Sequence, residues 1–215
     1  MGRISQMRNS RFNKRLHPLT FVSVAFAIAL FFALYSISKN LKEKKTDSSI
    51  VAGITKYPSD FSELPPFKLK TTSGMTFTNQ TLMGRYTLLF FGYTHCPDIC
   101  FATLEKIQNA TAQLPTEKRP QVFFIALDEK YDSKEMVSKF IQTFTGINGV
   151  SAEQKDIKTI SEALGIYAER QKESELIAHT EGIILIGKNG LPSAYLPASI
   201  PREQFSSIYL GLTTN

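Results

Sequence analysis

Both cysteines of the chain fall in one short stretch, Phe91-Gly92-Tyr93-Thr94-His95-Cys96-Pro97-Asp98-Ile99-Cys100. On a helix, side chains four positions apart share a face one turn from each other. A helix start also offers exposed N–H groups and the positive end of the helix dipole, which favour thiolate over thiol. Two soft thiolates facing one point suit a thiophilic metal such as Cu(I), and the same pair can close into a disulfide. The plain alternative is a pair of small buried hydrophobes, the commonest fate of free cysteine. Their placement at the carboxyl end of a buried strand, where α/β folds bind ligands, argues against it. Three histidines complete the candidates. His17 sits at the edge of an apolar run and reads as interfacial. His95 directly precedes Cys96, which makes it the weaker ligand. His179 follows Cys96 by eighty-three residues, just ahead of an apolar strand, and spacing alone leaves it open between a structural and a ligating role.

The elements that must position these residues are legible from periodicity. Residues 86–91 form a continuous apolar run ended by Gly92, the pattern of a strand buried on both faces. A helix is predicted from about 98 to 114, with Leu104, Ile107 and Ala110 on one face. Residues 122–127 are a second buried strand, and Asp132-Ser133 caps a helix with Met136, Val137, Phe140 and Ile141 inward. A shorter helix over 153–164 stops at Gly165, and Gly182–Ile186 is a third apolar strand. Asn189-Gly190 predicts a hairpin into a fourth strand near 193–196, and Pro201 opens a last helix carrying Phe205, Ile208 and Leu212. Upstream, residues 67–70 and 75–78 alternate around Thr72-Ser73-Gly74 as a small hairpin. The order predicts an α/β layered domain with a mixed sheet, that of the thioredoxin-like fold.

The chain has 215 residues and a net charge of +6, which would suggest nucleic acid if it were spread over the surface. It is not: residues 1–45 hold nine Lys/Arg and one acid, while 46–215 hold sixteen Lys/Arg and eighteen Asp/Glu. A basic nucleic-acid face is excluded. Residues 16–38 carry no charge and include LTFVSVAFAIALFFALYSIS, long enough to span a bilayer core of ~30 Å as a helix. A cleaved signal peptide would have a shorter apolar core and a small-residue cleavage site. Arg3, Arg8, Arg11, Lys14 and Arg15 precede the run without an acid, which favours the N-terminus inside. The expected organisation is a basic inner segment over 1–17, a transmembrane anchor over 18–38, a tether over 39–64 and a thioredoxin-like domain over 65–215. The domain would then face a periplasm or a mitochondrial intermembrane space.

From about Phe67 onward the chain resembles the Sco (SenC) proteins. These are membrane-anchored, thioredoxin-fold copper-binding proteins that assist assembly of the binuclear copper centre of cytochrome c oxidase. The resemblance rests on FFGYTHCPDIC, FIALD at 124–128, ALGIYAE at 163–169 and AHTEGIILIGKNG at 178–190. It implies that Cys96, Cys100 and His179 are copper ligands and that Asp128 tunes the site from behind them. Three positions depart from the family pattern: Phe101 stands where Pro is common, Ala178 where Asp precedes the ligand His, and Glu129 where Pro follows Asp128.

Two function classes compete. A metallochaperone would hold Cu(I) between two sulfurs and an imidazole, or Cu(II) with one further oxygen or nitrogen ligand. Its partner would be the copper-bearing subunit of cytochrome c oxidase or another cuproprotein. A thiol-disulfide oxidoreductase would cycle the same cysteines, Cys96 attacking and Cys100 resolving. Either needs a thiol reductant as a second partner in an oxidising compartment. A closed structural zinc site needs a fourth ligand, which only His95 or Asp98 could supply.

Overall fold

A computed structural model describes residues 28–36, 53–61, 63–96, 98–170 and 177–214 of the chain. The chain divides into two units, Met1–Ser48 and Ser49–Asn215. In the first, residues 28–36 are helical with exposed side chains. The remainder of the expected span 18–38 lies outside the described residues, and no helix among those described is long and apolar enough to cross a membrane.

The second unit runs β1 (Thr55–Lys56), β2 (Lys68–Lys70), β3 (Thr76–Thr78), β4 (Thr87–Gly92), α1 (Ile99–Ala112), β5 (Gln121–Ala126), α2 (Lys134–Ile141), β6 (Asn148–Val150), α3 (Gln154–Ala163), β7 (Ala168–Arg170), β8 (Ile177–His179), β9 (Gly182–Ile186), β10 (Pro192–Pro197) and α4 (Arg202–Thr213). The main sheet has the order β1-β10-β9-β4-β5-β6. Its strands β4, β5 and β6 are parallel, and β9 lies antiparallel to β4. This is the expected mixed sheet. The pairs β2–β3 and β7–β8 form two small antiparallel ladders of their own.

Every residue of β4 is buried, because side chains alternate between two covered faces. Leu88 and Phe90 join Leu104 and Ile107 of α1, Val137 of α2 and Phe205 and Tyr209 of α4. Leu89 and Phe91 join Phe77 of β3 and Ile157 and Ile160 of α3 on the opposite face. Cys96, Cys100 and Tyr93 belong to the first of these clusters.

Three sequence expectations need adjusting. Met136 is about half exposed, because an eight-residue helix turns only Val137 fully into the core. In α4 the deepest residues are Phe205 and Tyr209, since Tyr209 reaches inward to donate a hydrogen bond to the Lys118 carbonyl at 3.0 Å. Within the segment expected as a tether, Thr55 and Lys56 pair with Tyr195 and Ala194 of β10, covering an edge that would otherwise leave backbone groups unpaired.

Candidate functional site

The loop between β4 and α1 carries the motif. It leaves the sheet at Gly92, whose carbonyl accepts from Leu127 N–H at 2.7 Å, and tightens where Cys96 N–H donates to the Tyr93 carbonyl at 3.2 Å. Gly92 is required by space: a Cβ there would lie 2.9 Å from Cys100 Sγ and 3.0 Å from a ring carbon of Phe124. The spacing that defines the motif thus depends on a hydrogen at position 92, which makes it a site residue that sequence reasoning passed over as a strand end.

Cys96 and Cys100 are free thiols and both are buried. Cys100 lies in the first turn of α1, where the helix dipole was expected to favour thiolate. Its pKa is instead pushed well above the usual thiol range, first by burial and then by a hydrogen bond with Cys96. Removing the sulfur from water among Leu88, Phe90 and Leu104 outweighs the helix end. Burial thus favours the protonated form of Cys100.

A second loop, between β5 and α2, clamps the first. Asp132, almost fully buried, accepts from Thr94 N–H at 2.9 Å and from Thr94 Oγ1 at 2.6 Å. Burial raises the Asp132 pKa, and the two Thr94 hydrogen bonds hold it back. Asp132 Oδ2 also accepts from Asp128 N–H at 3.3 Å, tying the clamp to its own loop. Asp128 is 1% exposed, and its Oδ2 lies 3.4 Å from His95 Nε2 while its Oδ1 accepts from Lys130 N–H at 3.1 Å. Asp128, expected behind the copper ligands, faces His95. The His95 ring in turn lies edge-on to Tyr93 at 4.8 Å and to Tyr131 at 5.1 Å.

His179 arrives on β8, opposite Ala168 of β7. Its Nδ1 is 3.1 Å from the Thr180 carbonyl. A carbonyl only accepts, so Nδ1 is the donor in this contact, and in the neutral ring Nε2 is the nitrogen that can bind a metal. The ring is partly exposed and lines an open cleft of about 720 Å³ together with Lys158, Glu162, Tyr167 and Glu169. It meets the motif through Tyr93, whose ring lies edge-on to it at 5.8 Å. Among the described residues, no group of three or more His, Cys, Asp or Glu side chains is gathered closely enough to hold a metal. The structure thus unites Cys96 and Cys100 in one buried cluster with Tyr93, whose ring also contacts His179. That tyrosine is the second residue that sequence reasoning left unused, although it stood inside the quoted motif.

Comparison with known proteins gives this arrangement a context. The SCO1/SenC family profile matches residues 55–209. A Stutzerimonas stutzeri protein named for copper binding is 29% identical over 158 residues, 71% of this chain and 78% of its own length. The human mitochondrial SCO1 homolog is 26% identical over 185 residues, 80% of this chain but only 60% of that longer protein. The fold matches the crystal structure of Arabidopsis thaliana ScoI with copper bound at a TM-score of 0.63 and 23% identity, covering 69% of this chain and 96% of that one. It also matches BsSco, described with a disulfide switch and as a member of the Sco family of cytochrome c oxidase assembly proteins. There the TM-score is 0.57 at 17% identity, covering 71% of this chain and 95% of that one. The expected thioredoxin-like α/β fold is thus the fold of solved Sco proteins, and with its profile matched across most of the described domain, this chain belongs to the SCO1/SenC family.

Proposed function

We propose that this protein binds copper through Cys96, Cys100 and His179 and passes it on during assembly of the copper centre of cytochrome c oxidase. The observation that carries this reading is the two free cysteines in one buried cluster after β4 with the His179 imidazole against Tyr93 of the same cluster. Two sulfurs and one imidazole nitrogen form a soft donor set that suits Cu(I). The relatives support it: one is named for copper binding, and solved Sco structures hold copper. Both thiols must lose their protons before their sulfurs can hold the ion, so loading releases protons and tightens as pH rises.

The first test is metal analysis with thiol titration of the reduced domain. One copper per chain with both thiols protected is expected, and His179→Ala should abolish stable binding while leaving disulfide formation intact. Unchanged affinity in His179→Ala would overturn the assignment. In this reading residues 18–38 anchor the protein once, with 1–17 inside and 65–215 in a periplasm or intermembrane space, close to a membrane-embedded client. Deleting residues 1–45 should spare copper binding in solution and weaken oxidase assembly in cells; loss of binding would show that the anchor does more than localise.

A second reading is favoured by the two free cysteines sharing one buried cluster and by the disulfide switch described for BsSco. The same pair would then reduce a client disulfide, Cys96 attacking and Cys100 resolving. This reading does not need His179, so the His179→Ala variant separates the two. Oxidation would also remove the thiolates and release copper; equal copper retention by reduced and oxidised protein would reject that coupling.

A further inference from the structure

Tyr93 packs against His179 and shares a buried cluster with Cys96 and Cys100. It belongs to a loop, yet its side chain is only 4% exposed. Its ring lies edge-on against both imidazoles, 4.8 Å from His95 and 5.8 Å from His179. Its main-chain carbonyl accepts from Cys96 N–H, so ring and sulfur leave the same tight turn. The same buried cluster contains Ile177, and Ile177 and His179 are the two ends of β8. One side chain is therefore shared between the cluster that holds both thiols and the strand that bears the imidazole. His95, behind it, is held by Asp128.

We propose that Tyr93 is a positioning residue that covers Cys96 and keeps His179 off the sulfur pair, and that metal capture requires its side chain to leave this seat. The proposal rests on the copper reading above and adds a gate to it. Tyr93 sets how fast the ligands can converge, whereas the ligands themselves set how tightly they hold.

The test uses the reduced protein and two variants, Tyr93→Phe, which removes only the hydroxyl, and Tyr93→Leu, which removes the ring. The copper-free readout is the rate of iodoacetamide alkylation of Cys96, followed by mass spectrometry. Tyr93→Leu should be alkylated several-fold faster than wild type because the ring over Cys96 is lost, whereas Tyr93→Phe keeps the ring and should stay close to wild type. The second readout is Cu(I) capture from a chromogenic chelator. Tyr93→Leu should capture faster, with equilibrium affinity changed less than the rate. Combining Tyr93→Leu with His179→Ala should erase that gain, because the tyrosine acts through the imidazole. Alkylation unchanged in Tyr93→Leu would overturn the proposal, and so would a rate gain that survives removal of His179. Faster alkylation in a protein that captures no copper would overturn the copper reading and the metal gate with it, leaving only the cover over the thiol.

Discussion

At the residue scale the chemistry depends on small steric and electrostatic margins. Cys100 packs where a single methyl group on Gly92 would intrude, 2.9 Å from its sulfur. Gly92→Ala should destabilise the domain by about 1–3 kcal/mol, the usual cost of overpacking a filled core, and should slow closure of the Cys96–Cys100 disulfide. Urea denaturation with a timed thiol assay would show this; a variant with wild-type stability and closure rate would mean that Phe124 and the thiol can move aside freely. Asp128 shows how a residue type can be recognised while its partner is not. An acid near the metal site followed from the family resemblance, but its pairing with His95 Nε2 depends on how the β5–α2 loop folds back on the motif.

At the scale of elements, the site is held by connections that sequence periodicity does not encode. Lys106 lies on the inner face of α1 and is 6% exposed, and its ammonium donates to the carbonyls of Ala198 (2.5 Å) and Ile200 (2.9 Å) between β10 and α4. Burial lowers its pKa, yet two carbonyl acceptors compensate the charge in place of an acid. Lys106→Met should cost about 1–3 kcal/mol because both carbonyls lose their donor. The urea midpoint should fall accordingly, and an unchanged midpoint would show that water can replace the ammonium. The strand β8 makes the same point for function. As a three-residue strand opposite β7 it is too short to show an alternating pattern, so the sequence places His179 before β9 but not on a ladder of its own.

At the scale of the whole molecule, the buried acids that ionise at high pH all point the same way. Tyr57 and Tyr209 are both pushed up from 10.0 to about 12, chiefly by burial, with Tyr195 adding to the first and Tyr86 to the second. The Cys100 thiol rises from its ordinary 9.0 for the reasons given above. In each case the folded state holds the proton more tightly than the unfolded chain. The stability they contribute is present below the ordinary values of 9.0 and 10.0 and is lost as pH rises towards the folded values. The urea midpoint of the reduced domain should fall steadily above pH about 9, most steeply between about 10 and 12, and Tyr209→Phe should soften the fall. A midpoint independent of pH up to about 11 would show that these groups are hydrated in the native state.

The sequence by itself determined the four central strands, most of the helices and the thiol pair, because those follow from local rules, while His179 was singled out only through the family resemblance. Hydrophobic periodicity marks strands buried on two faces, glycine and proline mark ends, and a spacing of four places two side chains on one helical face. Only the tertiary structure decided that Cys100 is fully buried, that Asp128 faces His95, and that Tyr93 packs against His179. Each of these depends on groups far apart in the chain being brought together and away from water. Desolvation and contact across such distances leave no periodic trace in the sequence.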